Sequence, residues 1–350
     1  NLVMGSATAA SGATVTSATN AAVFATLTAN NTETLTITSQ GGANTLGTIT
    51  SADMTTLHIL GDQTLTLGNI GSATKLATVD ASGMTSTAAF VMSGTNASTT
   101  AGTYTGTANA DTLVGGTKAD TLNGGAGIDN LTGGAGANVL NGEAGNGVLT
   151  GSATADETLN GGAGNDDIRF ATANFTNKDT VSGGDGTDEI TITNAATVVD
   201  ADFTNVTSIE TLTLEAAGTD VDLGVLADAA GVRTVVSTAG ANNDDINMVK
   251  DFASDITIQI GQGDDTITAA ATYAGAMTVD LSTLGDADDL DGSDTITGGA
   301  GSDTLLVKAT GTAITAVELA AVSKIETIKI SNDATTNTIT LADANIAAGA

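Results

Sequence analysis

Between Gly106 and Arg169, carboxylates recur at fixed spacing among glycines. The stretch reads GTANADTLV, GGTKADTLN, GGAGIDNLT, GGAGANVLN and GEAGNGVLT in nine-residue steps, then a ten-residue GSATADETLN, then GGAGNDDIR. The unit is GGxGxDxUx, where U is a large apolar residue. Asp at the sixth position supplies hard carboxylate oxygens, and the carbonyls of a tight turn supply more. That is the oxygen set Ca²⁺ takes at about six to eight positions. Single copies return later: GGDGTDEIT carries Asp188, AGANNDDIN carries Asp244 and GQGDDTI carries Asp265. DLDGSDTIT and GGAGSDTLL form a final tandem pair carrying Asp294 and Asp303.

Such carboxylates need a scaffold that repeats with them. The glycine-rich half of each unit suits turns with positive φ and close backbone approach, which a Cβ resists. The last three residues suit a short strand whose eighth position (Leu113, Leu122, Leu131, Leu140, Leu149, Ile168) faces inward, because side chains alternate along a strand. Two units then make one coil of a flattened solenoid, with turns on alternate edges. This sorting puts Asp111, Asp129 and Gly147 on one edge and Asp120, Asn138 and Asp156 on the other, with each ion between successive loops of one edge. Full sites are expected near Asp111 and Asp129, a weaker one at Asp120 and Asn138, and a poor one beside Gly147, which has no side chain. Registration resumes at Asp166 after the extra residue. A flexible glycine-rich linker has no reason to keep Asp and Leu in fixed register.

A longer phrase flanks this block. VTSIETLTL carries Val206, Ile209, Leu212 and Leu214, and VSKIETIKI carries Val322, Ile325, Ile328 and Ile330 at the same spacing. Weaker copies are ATKLATVDA from Ala73 and AAGVRTVVS from Ala229, with a distorted one at Met54 to Leu60. Each is followed by another short strand, at Leu65 to Leu67, Val221 to Leu223 and Thr338 to Leu341. A period of about twenty residues fits stacked solenoid rungs. Helix is expected only at Thr315 to Ala321 and at a corner from Val225 to Ala230, and residues 82–105 read as loops and edge strands. The fold class is therefore all-β, an elongated parallel β-solenoid. Three parts are expected: Thr/Ala-rich rungs over 1–105, the nonapeptide roll over 106–169, and rungs with interspersed acidic loops over 170–350. Their interleaving argues for one continuous solenoid.

Composition excludes several functions. The chain has 350 residues, 40 acidic against 9 basic, and a net charge of −31, so no basic stripe exists to displace counterions from nucleic acid. That charge also disfavours anionic membrane surfaces and weakens the compact state until cations bind. Aromatic residues make up 2% of the chain, which suits a thin stacked aliphatic core better than a large globular one. Cysteine is absent, and no run of about twenty apolar residues offers a membrane span. Residue 1 is Asn and no signal-peptide pattern follows it, so the chain reads as processed or as a piece of something larger.

Together, the nonapeptides, the returning copies and the IET rungs resemble RTX-type surface-layer (S-layer) proteins of Gram-negative bacteria, with the nonapeptide signal covering roughly a third of the chain. The resemblance implies type I secretion, folding on meeting external Ca²⁺, and tiling of the cell surface as a self-assembled lattice. It implies Ca²⁺ on Asp111, Asp120, Asp129, Asp156, Asp166, Asp188, Asp244, Asp265, Asp294 and Asp303, with Asn138 as a weaker ligand. Turn glycines Gly116, Gly125, Gly127, Gly162, Gly164, Gly184, Gly299 and Gly301 belong to the same sites. No lipopolysaccharide-anchoring domain is recognisable, so an anchor to lipopolysaccharide is expected in a region outside this sequence.

Catalytic readings find little support. His58 is the only histidine and sits in a rung beside Leu57 and Ile59, so neither a zinc cluster nor a Ser-His-Asp constellation is supported. The acid pairs Asp166-Asp167 and Asp264-Asp265 lie inside the repeat loops, which favours ligand duty over glycosidase chemistry. The alternatives to a lattice protein are an RTX-type adhesin or biofilm-matrix protein, or the calcium module of a larger secreted RTX protein.

Overall fold

A computed structural model describes residues 2–3, 13–17, 23–70, 73–85, 87–152, 155–171, 174–195, 197–216, 218–238, 243–249, 251–261, 263–281, 290, 293–309 and 319–332. The chain divides into two units, 1–170 with 179–188, and 171–178 with 189–350.

In the first unit, consecutive strands alternate between two parallel sheets. One sheet runs Val23–Thr28, Asn44–Thr50, Leu65–Ile70, Phe90–Met92, Thr112–Val114, Asn130–Thr132, Val148–Thr150 and Asp167–Phe170. The other runs Ala13–Ser17, Thr34–Ser39, Thr56–Gly61, Thr78–Met84, Thr103–Thr105, Thr121–Ala126, Val139–Ala144, Thr158–Ala163 and Thr180–Asp185. Each coil thus gives one strand to each sheet, the arrangement of a parallel β-solenoid. The spacing of apolar residues explains it. Leu113 pairs with Leu131, Leu131 with Leu149, and Leu149 with Ile168, all fully buried. Leu122, Leu140, Leu159 and Val181 stack likewise in the facing sheet. Flanking residues such as Thr112, Thr121, Asn123 and Asn141 face outward and are half-buried.

The expected inward face is therefore the observed one. Residues 82–105 differ from their reading as loops and edge strands, because Thr103–Thr105 pairs with strands on both sides. Buried Tyr104 holds it in the stack, taking the inward place that leucine fills in the next coil.

The second unit repeats the plan. Its sheets run Glu189–Ile192, Thr211–Leu214, Thr234–Ser237, Ile256–Gln259, Met277–Asp280, Thr304–Ala309 and Thr327–Asn332, and Thr197–Val198, Asp220–Leu223, Asp245–Met248, Thr266–Ala269, Thr295–Thr297 and Val322–Ser323. The expected corner helix forms at Val225–Ala230. The Asp200 carboxylate caps it by accepting the N–H groups of Leu226 and Ala227, each with a bond of about 3 Å. The expected strand at 338–341 and most of the expected helix at 315–321 lie outside the described residues; 319–321 form a turn. Among the described residues, no helix is long and apolar enough to cross a membrane.

Candidate calcium-binding loops

Each acidic residue of the repeat ends a turn and immediately precedes a strand, so parallel stacking aligns the acids coil upon coil. A backbone N–H of one coil donates to the carboxylate of the next. On one edge of the first unit, Phe90 N–H donates to Asp111 Oδ1 (2.6 Å) and Asp111 N–H to Asp129 Oδ1 (2.8 Å). Further along, Gly147 donates to Asp166 (2.6 Å) and Asp166 to Asp188 (2.8 Å). The other edge runs from Gly102 to Asp120 (2.6 Å), Asp120 to Asn138 (2.9 Å), Asn138 to Glu157 (3.2 Å) and Glu157 to Asp179 (2.8 Å). In the second unit, Thr219, Asp244 and Asp265 donate in turn to Asp244, Asp265 and Asp294, and Met277 and Asp303 donate to Asp303 and Glu326.

The register corrects one position. Asp156 is exposed, while its neighbour Glu157 is buried and accepts the Asn138 N–H. The extra residue in GSATADETLN places the acid six residues after its leading glycine, Gly151, where the other repeats use five. Asp179 and Glu326 also stand in the ladder without being expected there. The signal that finds all three is the triplet acid-Thr-apolar, present as Asp111-Thr112-Leu113, Glu157-Thr158-Leu159, Asp179-Thr180-Val181 and Glu326-Thr327-Ile328. At Arg233-Thr234-Val235 the acid is replaced by a cation. Its guanidinium Nη1 lies 3.0 Å from Asp228 Oδ1 and donates to the Val232 carbonyl (2.6 Å), a fixed positive charge in place of a carboxylate.

Glycine identity follows from the same stacking. A Cβ on Gly124 would lie 2.3 Å from Asp129 Oδ2 and 2.9 Å from the carbonyl oxygen of Gly142 in the next coil. The same pair, a carboxylate of the loop and a carbonyl of the following coil, meets beside Gly106 (Asp111, Gly124), Gly161 (Asp166, Gly183) and Gly298 (Asp303, Lys324). Gly125, Gly127, Gly162, Gly164 and Gly184 have positive φ and lie against backbone of the preceding coil. Gly116, Gly299 and Gly301 have ordinary φ but abut the Ser98, Tyr273 and Gly275 carbonyls.

The oxygens so gathered leave charge uncompensated. Asp129 Oδ2 and Asp166 Oδ2 are buried without a hydrogen-bond partner, an arrangement that costs free energy until a cation or proton arrives. Burial pushes Asp129 up to about 6 and Asp265 up to about 7, and raises Asp111, Asp120, Asp166 and Asp303 as well. Among the described residues no three carboxylate or imidazole groups converge. An ion held here would therefore draw most of its ligands from carbonyls, an all-oxygen set that fits Ca²⁺.

Compared with known protein families, the sequence matches the RTX calcium-binding nonapeptide repeat (4 copies) over residues 105–127, 114–149, 123–157, 153–169 and 287–306. The chain carries RTX calcium-binding nonapeptide repeats. Its RTX repeats bind Ca²⁺, and their number implies several ions. No curated protein and no solved structure gives a significant match to this RTX chain. His58, on a half-exposed strand face, lies 3.6 Å from Asp80, a pairing outside the RTX loops.

Two outcomes follow for the RTX loops. Asp129→Ala removes a carboxylate oxygen from the ion and leaves the buried Asp111 N–H without its acceptor, a penalty of about 1–3 kcal/mol. Calorimetric titration should show fewer ions bound and a higher calcium midpoint. The second outcome concerns protons. The raised carboxyl pKa values mean that the folded chain holds more protons than the unfolded one between about 4 and about 7. Without metal, stability then falls as pH rises through that window. In chelator the residual far-ultraviolet β signal should be larger at pH 5 than at pH 8. Saturating calcium should remove or reverse the preference, because protons compete with the ion.

Proposed function

We propose that this chain is a structural protein of a secreted bacterial surface layer that folds and self-assembles into an ordered lattice when it binds Ca²⁺. The observation that carries this reading is a pair of uncharged outward rows on a chain with a net charge of −31. Over the RTX block, Thr121, Val139 and Thr158 form one row, and Asn123, Asn141 and Asn160 form the next, all half-buried. Asn141 and Asn160 each donate 2.8 Å bonds to the asparagine before them. Flat neutral rows favour copy-on-copy packing, and the chain contains no proline to block it. Acidic repulsion keeps protomers apart until calcium reduces it. One external ion thereby couples folding to assembly, with attachment to lipopolysaccharide through a region outside this sequence.

Light scattering and electron microscopy test the proposal. Millimolar calcium should convert soluble protein into extended ordered arrays, and chelator should reverse this. A chain that folds in saturating calcium yet stays monomeric at high concentration would instead favour an adhesin or the calcium module of a larger secreted RTX protein. The confinement of the family match to the repeats supports that second reading.

A further inference from the structure

Away from the acidic loops, two side chains of different chemistry stand together on the outer face of the sheet that runs from Ala13–Ser17 to Thr180–Asp185. Strand pairing carries one outward row of that sheet through Thr36, His58, Asp80, Thr105, Asn123 and Asn141, so the pair lies in the same row as the bonded asparagines. Among these six, only His58 and Asp80 carry titratable groups. Their side chains are 41% and 38% exposed, and His58 Nδ1 lies 3.6 Å from Asp80 Oδ2. That separation is too long for a hydrogen bond. It is close to the roughly 3.4 Å between two donors on one tetrahedral zinc ion with bonds of about 2.1 Å.

The Asp80 carboxylate is already held in place. Between His58 and Leu60 the pairing shifts, because Asp80-Ala81-Ser82-Gly83 carries one residue more than His58-Ile59-Leu60. The bulge turns Ser82 back on Asp80, and its N–H (3.0 Å) and hydroxyl (2.6 Å) both donate to Oδ1. These bonds also hold the Asp80 carboxyl below its ordinary value, which keeps it an anionic donor. Oδ2 is left on the side of the imidazole. A carboxylate fixed through one oxygen and offered through the other is the way outer hydrogen bonds orient a metal ligand. Imidazole suits Zn²⁺, whereas Ca²⁺ takes oxygen ligands, so the pair differs in chemistry from the acidic loops. One copy supplies two donors, too few for a closed zinc site. In a two-fold contact the same patch of a second copy supplies the other two.

We propose that His58 and Asp80 of two copies together form a Zn²⁺ site that ties the copies face to face across this row. The site rests on the copy-on-copy packing already proposed and adds a second ion to it. Calcium folds each chain, and zinc fixes a pair of folded chains in register.

The calcium-loaded full chain, at a concentration where calcium alone raises no light scattering, is titrated with zinc chloride. Calorimetry should show about one zinc ion per two chains, and sedimentation velocity should show monomer converting to dimer. Because His58 is the only histidine, its imidazole NMR signals report this site alone and should shift with the same midpoint. His58→Gln and Asp80→Asn should each abolish the dimer and weaken zinc binding by at least about tenfold, and Ser82→Ala, which removes one bond to Oδ1, should weaken it about tenfold. Asp53→Asn, which breaks the exposed ion pair with Lys75, should change neither. Imidazole signals unmoved by zinc, a dimer undiminished in His58→Gln, or zinc bound at His58 with no dimer would each overturn the proposal. Array formation in calcium alone keeps the two claims apart. Arrays from wild type and variants with no response of His58 to zinc would leave the lattice reading standing without the site, and a zinc dimer from a chain that forms no arrays would leave the site standing without the lattice.

Discussion

Removal of calcium is expected to unfold the nonapeptide coils, with loss of most of the far-ultraviolet β signal in excess chelator and its recovery on adding the ion. Electrostatics set the size of the effect. Coils stack about 4.8 Å apart, and at an effective dielectric of about 20 two unit charges at that distance repel by about 3 kcal/mol. Several such neighbours occur in succession, among them Asp111 with Asp129, Asp166 with Asp188, and Asp244 with Asp265. Backbone N–H groups satisfy both oxygens of Asp111, Asp120 and Asp303, whereas on Asp129 and Asp166 one oxygen accepts a backbone N–H and the other is buried without a hydrogen bond. Net stabilities of only about 5–15 kcal/mol cannot absorb that many uncompensated charges. A strong β spectrum in chelator, unchanged by calcium, would contradict this.

Gly125→Ala is the second large effect, and it acts through the backbone. Gly125 has φ +108°, and a Cβ there would lie 1.9 Å from the Thr107 carbonyl oxygen of the preceding coil. The conformation alone costs about 1–3 kcal/mol for a residue with a side chain. The overlap adds to this, because coils packed at strand spacing cannot part locally without breaking the ladder on either side. The variant should fail to reach the wild-type fold at any calcium concentration. Gly147→Ala is the internal comparison: its φ is ordinary and its nearest neighbours, 3.1–3.2 Å from a Cβ, are the ends of the Leu149 and Asp166 side chains. Its melting temperature in calcium should stay close to that of wild type.

The periodic part of the fold was legible because two independent patterns agree in phase. Leu at the eighth position and Asp at the sixth position of the nine-residue unit specify an inward face and a turn together, so the pairing of Leu113 with Leu131 and of Asp111 with Asp129 could be read from spacing alone. Where one residue was inserted, the phase counted from the glycine gave Asp156, while the structure keeps the phase counted from the strand and buries Glu157. Packing of Leu159 on Leu140 decides this, since a slip by one residue would turn the leucine outward. Asp179 and Glu326 escaped notice for a related reason: their turns lack the glycine signature, and only the strand that follows aligns them. Arg233 was hidden because it inverts the charge of its position and finds its carboxylate partner, Asp228, on the adjoining helix.

The central claim is that cations sit between successive loops and bind the carboxylates of the ladder. A structure determined in calcium, with the ions located by anomalous scattering, tests it most directly. Ions are expected beside Gly106, Gly124, Gly161 and Gly298, where a carboxylate and a carbonyl of the next coil already meet, at about 2.3–2.6 Å from Asp111, Asp129, Asp166 and Asp303. A folded chain in saturating calcium with those carboxylates bonded to backbone N–H groups alone, and no ion within coordinating distance, would contradict the account.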